Sequence, residues 1–203
     1  MRVAILLFDD VEVLDFAGPF EVFSVARTEK GDLAFEVVTV ALGAGPVVAR
    51  NNLTILPTCT PGTLGGVDIL VVPGGFGTRR GLYNSAMLDF IRATSASASL
   101  TLSVCTGAML LGAAGLLAGL GATTHWAAME ELQALDCGAE LFPEARIVDN
   151  GAVITSAGVS AGIDAALHVV ARVHGEAAAR TAARYMQYDW PTAGTARQTL
   201  IRS

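Results

Sequence analysis

A flavodoxin-like α/β fold, a doubly wound and mostly parallel sheet with helices on both faces, is predicted for this chain by three observations. Short apolar runs of strand length alternate along the sequence with segments of helical periodicity. The apolar share, 52% against 6% aromatic, is made of Ala, Val, Leu and Ile, which suits close helix-on-sheet layers. Strands buried on both faces need crossover connections and therefore run parallel, with right-handed crossovers. A length of 203 residues is enough for one sizeable core, so a single domain over 1–203 is expected.

The run from Val3 to Phe8 is the first strand, followed by an acidic loop and Gly18-Pro19. Proline there suits the first turn of a helix through Phe20, Val22, Phe23 and Val25. Phe35 to Val40 reads as the second strand, and Pro46 to Leu56 as a small antiparallel excursion around Asn51-Asn52. Val67 to Val72 is a fully apolar third strand that stops at Pro73-Gly74-Gly75-Phe76-Gly77, a special turn. Asn84 caps a helix to about Ala96 with Met87, Phe90 and Ile91 inward. Leu100 to Val104 is the fourth parallel strand and runs into a small-residue helical segment, Cys105 to Gly115, able to lie very close to the sheet. Thr123-Thr124-His125-Trp126 leads to an amphipathic helix ending near Leu135. Ile147 to Asp149, Asn150-Gly151 and Ala152 to Thr155 form a hairpin, and Gly158-Val159-Ser160 opens a long helix through Ile163, Leu167 and Val170. A last helix spans about Glu176 to Met186. Tyr188-Asp189-Trp190-Pro191 closes the domain, and the polar tail after Trp190 is expected to be ordered only by a partner.

Composition narrows the function. A net charge of −6 with no Lys/Arg cluster would repel a phosphate backbone, so no nucleic-acid partner is expected. The amino-terminal apolar run is short, ends in two acids and lacks a small-residue cleavage site, and no run is long enough to span a bilayer. A cytoplasmic protein without membrane association is expected. Cys59, Cys105 and Cys137 are too few and too scattered for a disulfide framework or a zinc site. No cluster of His and acids suggests a metal, and the glycine loop lacks the lysine of a phosphate loop, so no cofactor is expected.

In such sheets the ligand crevice lies beyond the carboxyl ends of the strands. Three features fall there: the loop carrying Asp15, the Gly74-Gly75 loop and Cys105. Ser103-Val104-Cys105-Thr106-Gly107 has the arrangement of a nucleophile elbow. At a helix N-terminus the free amides and macrodipole are expected to lower the thiol's ordinary value of about 8.5 and favour the thiolate. The amides of Thr106, Gly74 and Gly75 are expected to converge on developing negative charge, although the same loop reads equally well as a plain chain reversal. Asp15 alone reads first as a helix cap. Beside Cys105 it becomes an acid paired with a nucleophile, since two adjacent anions keep one proton. His125 is the rival base, but its setting between Thr124 and Trp126 favours a structural, hydrogen-bonded ring. His168 and His174 read as packing or surface positions, and Cys59 and Cys137 as inert.

Leu14-Asp15-Phe16-Ala17-Gly18-Pro19, Val72-Pro73-Gly74-Gly75, Ser103-Val104-Cys105-Thr106-Gly107 and Gly112-Ala113-Ala114-Gly115-Leu116-Leu117 resemble the ThiJ/PfpI superfamily of the class I glutamine amidotransferase-like group. Ala122-Thr123-Thr124-His125-Trp126 and Thr155-Ser156-Ala157-Gly158-Val159-Ser160-Ala161-Gly162-Ile163-Asp164 continue the resemblance. Within the superfamily the chain is similar to the branch of isocyanide hydratases and of the amino-terminal domains of AraC-type regulators. The resemblance implies a homodimer, a nucleophile at Cys105, a proton donor and acceptor at Asp15, a supporting Thr106, and a pocket lined by the Gly158-Val159 turn. It implies attack of the thiolate on the terminal carbon of an isocyanide and hydrolysis of the thioimidate to an N-substituted formamide.

Thr106 stands where protease-like members have histidine, so peptidase activity is not implied. With the sequence ending at Ser203, the regulators' carboxyl-terminal helix-turn-helix module is not expected. The segment Tyr185 to Trp190 departs from the ending expected of hydratases. Three readings follow: a hydro-lyase acting on a small electrophile, a metabolite-sensing domain without turnover, and aldehyde detoxification of the glyoxalase or deglycase type.

Overall fold

The computed structural model describes residues 1–190 and 199–202. Its strands are β1 (Arg2–Leu6), β2 (Glu36–Val40), β3 (Val47–Val48), β4 (Thr54–Ile55), β5 (Ile69–Val72), β6 (Leu100–Val104), β7 (Gly121–Ala122), β8 (Glu140–Leu141), β9 (Ile147–Asp149), β10 (Val153–Ser156) and β11 (Thr199–Ile201). The helices are α1 (Val13–Val25), α2 (Thr78–Gly81), α3 (Ser85–Ser97), α4 (Gly107–Ala113), α5 (Met129–Ala134), α6 (Ala161–His174) and α7 (Glu176–Tyr185). Seven strands form the central sheet in the order β11-β9-β10-β6-β5-β1-β2. From β10 to β2 every neighbour is parallel, β9 is antiparallel to β10, and β11 is parallel to β9.

Both faces are covered, as the apolar strands require. Thr101 and Val104 of β6 point to opposite faces because side chains alternate along a strand. Thr101 meets Ser95 of α3 through their hydroxyls, and Val104 lies against Gly162 of α6. Helices α1, α6 and α7 pack on one another, and α2, α3 and α5 gather around α4. The small residues of α4 allow the close approach expected of them: a Cβ on Gly107 would sit 2.0 Å from the Val72 carbonyl oxygen.

The Asn84 cap of α3 accepts the Met87 N–H at 3.1 Å, and β3 and β4 form the antiparallel excursion around Asn51 and Asn52. Helix α1 differs from expectation. It begins at Val13, so Pro19 lies inside it, and the Asp15 carbonyl loses its usual helical donor. Packing overrides the local preference here, because Gly18-Pro19 is where α1 crosses α6, with room for no Cβ on Gly18 beside Ile163. The tail also differs in part. Residues 191–198, with the expected closing Pro191, lie outside the described residues, but Thr199–Ile201 forms β11 beside β9, and the Arg202 N–H reaches the Asp149 carbonyl at 2.8 Å. Among the described residues no helix is long and apolar enough to cross a membrane.

Candidate active site

Strand β6 ends directly at Cys105, which takes a φ of 58°, a left-handed conformation uncommon for a residue with a side chain. The strain is held from both sides. The Cys105 N–H donates to the carbonyls of Ser156 at 3.2 Å and Ala157 at 3.1 Å, and the Thr124 hydroxyl donates to the Cys105 carbonyl at 2.7 Å. The thiol is thereby lifted to the carboxyl end of the sheet, as the elbow motif anticipates.

Asp15 lies in the first turn of α1 and is fully buried. It caps nothing: Glu12 occupies the cap position, and no side chain caps the helix. Its Oδ2 accepts the Gly74 N–H at 3.0 Å and its Oδ1 the Val159 N–H at 3.1 Å. Three distant loops therefore converge on one carboxyl group beside the thiol.

Burial pushes the Cys105 thiol up to about 12, and the neighbouring Asp15 charge acts in the same direction. Burial likewise raises Asp15 to about 7, against the lowering effect of Cys105 and the two backbone donors. The expectation of a resting thiolate is thus corrected. Helix α4 starts two residues beyond Cys105 and is only seven residues long, so its amides cannot offset the loss of water around a residue only 6% exposed. The coupled pair retains a proton, as expected of two adjacent acids, and burial disfavours the thiolate.

The converging amides are also corrected. The Gly74 N–H is engaged by Asp15, and the Gly75 N–H donates to the Thr106 hydroxyl at 2.9 Å. Of the three expected donors only the Thr106 amide faces the sulfur. Thr106 Oγ1 and Thr78 Oγ1 both reach the Gly75 carbonyl, at 3.2 and 2.8 Å, which pins the loop. Gly75 has a φ of 126°, and a Cβ there would lie 2.3 Å from the Asp10 carbonyl oxygen, so the turn requires glycine.

Cys105 opens on a cavity of about 170 Å³ lined by Cys105, Thr106, Gly75, Val159, His125, Phe76, Glu12, Arg50, Arg79, Ala127 and Ala128. Thus Cys105, Thr106, Gly75 and Val159 line it as expected, while Asp15, buried beside Cys105, is not among the lining residues. Gly74 and Gly158 do not line it. Gly74 serves Asp15, and Gly158 packs on His125, whose Cδ2 a Cβ would approach to 2.2 Å. Val159 has a φ of 55°, a costly conformation for a β-branched residue, held where its N–H meets Asp15.

Sequence reasoning missed the rest of the wall. His125 is hydrogen-bonded as expected, accepting the Ala127 N–H on Nδ1 at 3.2 Å, but it also faces the cavity. A neutral ring so fixed carries its proton on Nε2. Arg50, Phe76 and Arg79 form the mouth, with the two guanidinium carbons 3.8 and 5.8 Å from the Phe76 ring centre. Arg79 is bound to Glu131 of α5 through two N–H groups at 2.9 and 2.5 Å. Phe76 gave a signal in the sequence as a large apolar residue inside a glycine turn; Arg50 gave none. Among the described residues no His, Cys, Asp and Glu cluster could hold a metal, and Cys59 and Cys137 are free thiols. Cys59 donates to the Thr39 carbonyl.

Comparison with known proteins fits this geometry. The isonitrile hydratase of Pseudomonas putida is 35% identical over 188 residues, 93% of this chain and 78% of that protein. The HTH-type transcriptional regulator GbdR of Pseudomonas aeruginosa strain UCBPP-PA14 is 28% identical over 179 residues, 85% of this chain but 47% of the regulator. The crystal structure of a ThiJ/PfpI family protein from Pseudomonas syringae superposes with a TM-score of 0.83 at 35% identity, covering 95% of this chain and 76% of that one. The family model described as DJ-1/PfpI matches residues 1–172, and the chain belongs to the DJ-1/PfpI family.

Proposed function

We propose that the protein is a cysteine-dependent hydro-lyase that converts a small isocyanide to an N-substituted formamide, with Cys105 as nucleophile and Asp15 as proton carrier. The observation that carries this reading is the Asp15–Cys105 pair, buried side by side at the end of a small cavity that Cys105 lines. The similarity to an isonitrile hydratase over most of both chains supports it.

The terminal carbon of an isocyanide accepts both a nucleophile and a proton. As Sγ attacks that carbon, the thiol proton passes to an Asp15 carboxylate, and Asp15 delivers it to the same carbon. An S–C and a C–H bond form, and the product is a thioimidate. Water then adds to the thioimidate carbon while nitrogen gains a proton. Collapse expels the sulfur, which regains its proton, leaving the formamide and free enzyme; the sum is one isocyanide plus one water. Asp15 at about 7 is matched to taking and giving a proton near neutrality. Thr106, through its amide, steadies charge on sulfur during attack and departure. The cavity is well below the ~300–1,000 Å³ typical of drug-sized ligands, so the substrate is small.

Incubation with an alkyl isocyanide, followed by NMR of the formamide, tests the reading. Turnover that vanishes in Cys105→Ala is expected, and equal turnover by the variant would overturn it. The regulator match over 85% of this chain favours a second reading, a metabolite-sensing domain. It requires saturable binding without covalent adduct or turnover.

A further inference from the structure

We infer that the substrate carries a carboxylate at the end remote from its reacting carbon, and that Arg50 is the residue that receives it. For the identity of the reacting carbon this rests on the isocyanide reading above; for the anion it rests on the cavity wall alone.

Arg50 sits in the short turn between β3 and β4. The turn is tied to the site by the Arg50 N–H, which donates to the Val11 carbonyl at 2.9 Å, and closed by the Ala49 N–H on the Leu53 carbonyl at 2.8 Å. Its guanidinium carbon lies 3.8 Å from the Phe76 ring centre, and the side chain is 29% exposed. The nearest acid is Glu12, whose Oε2 is 3.8 Å from Nε, beyond hydrogen-bond reach. Among the described residues no acceptor hydrogen-bonds the Arg50 guanidinium. Arg79, the other cation on the wall, is committed to Glu131, Gly75 and Thr78.

A guanidinium offers five donors in a planar fork suited to a carboxylate. Holding it over an aromatic ring restricts it in advance, which lowers the entropy lost when an anion binds. Glu12 opposes a second anion, but its own contact is too long to hydrogen-bond, so a ligand carboxylate replaces a weak pairing with direct charge-assisted bonds. Arg50 and Cys105 line one small cavity, so the spacer between carboxylate and reacting carbon is short. The substrate class is therefore a short isocyano acid, and the product an N-formylated amino acid.

The test compares iodoacetate with iodoacetamide at Cys105, read by mass spectrometry at fixed pH and ionic strength, in the wild type, Arg50→Gln and Arg50→Lys. The anionic reagent's rate relative to the neutral one is expected to fall about tenfold in Arg50→Gln, as for loss of one charge-assisted hydrogen bond. Arg50→Lys keeps the positive charge and should retain most of the preference, which excludes a folding defect. An equal ratio in wild type and Arg50→Gln overturns the inference. In parallel, isocyanoacetate and propyl isocyanide are compared as substrates. Turnover of neither, with the alkylation ratio still dependent on Arg50, would defeat the hydratase reading and leave the anion site standing. Turnover of both with equal kcat/KM would overturn the carboxylate preference alone.

Discussion

Replacing Asp15 by Asn is expected to stabilise the folded protein above neutral pH while abolishing the proposed reaction. Asp15 is fully buried, and its carboxyl is raised from 3.8 to about 7. Between those values the folded chain holds a proton that the unfolded chain has lost, so stability falls as pH rises. The contribution is whole below about pH 4 and lost by the time pH passes about 7. Across that span, at roughly 1.4 kcal/mol for each pH unit, the loss comes to about 4 kcal/mol. Asn cannot ionise, but it offers one carbonyl oxygen where the carboxylate accepts the N–H groups of both Gly74 and Val159. One buried donor is left without an acceptor, at a cost of about 1–3 kcal/mol. At pH 8 the variant should therefore be more stable than the parent by about 1–3 kcal/mol, and at pH 4 less stable by a similar amount. For a chain of this size each kcal/mol corresponds to roughly 2–4 °C in Tm. Urea unfolding followed by circular dichroism at several pH values measures this, and subtracting one protein from the other cancels the remaining titrating groups. A flat difference between pH 4 and 8, or an Asn variant less stable at pH 8, would refute the electrostatic account of the site.

The Cys105 thiol, at about 12, should show little thiolate absorbance below pH 10, and an apparent value near or below 8.5 would restore a resting thiolate. Gly107→Ala places a Cβ 2.0 Å from the Val72 carbonyl oxygen, a backbone atom unable to yield; a loss of at least about 3 kcal/mol is expected in denaturant unfolding, the upper end of ordinary overpacking, and a loss below 1 kcal/mol would contradict the close seating of α4. The Arg79–Glu131 pair is about 40% exposed, with side chains 36% and 43% accessible, so Glu131→Gln should cost under about 1 kcal/mol of stability; a larger thermal shift would show that α5 depends on it. Asp149 accepts from His168, Arg172 and the Gly151 N–H, and these partners hold its carboxyl below the ordinary value. Its stabilisation is present above about pH 4 and lost as pH falls through the lowered value, so Asp149→Asn should weaken the acid limb of the stability profile, and an unchanged limb would count against the pairing.

What the sequence conveyed best was the part set by apolar periodicity and turn chemistry. Leu100–Val104 emerged with its observed bounds, the Asn84 cap performs its expected role, and the Asn150-Gly151 turn joins β9 to β10. Features whose cause lies in distant packing were not legible. The start of α1 was masked by Pro19, whose usual place in a first turn is overruled by the crossing with α6. Strand β11 was hidden because three residues carry too little pattern to announce pairing across about fifty residues of chain. In the site, Asp15 and Cys105 were recognisable as a pair, but not their protonation. Burial, which raises both groups, is a property of the assembled loops and has no trace in the local motif. Arg50 was invisible for the same reason: only the β3–β4 turn folding over Phe76 brings it to the cavity.

The protonated thiol bears on which electrophiles suit the proposed site. Burial raises both groups, sulfur further than Asp15, so moving the proton to Asp15 before attack is uphill. That cost penalises any reaction that requires a free thiolate. Alkyl halides accept sulfur alone and gain nothing from the retained proton. An isocyanide takes sulfur and proton on one carbon, so Asp15 can pass the proton forward as the S–C bond forms and much of the ionisation cost is never incurred. On the proposed mechanism, burial of the pair works as selection: it slows alkylation of Cys105 while leaving open additions in which the substrate itself consumes the nearby proton.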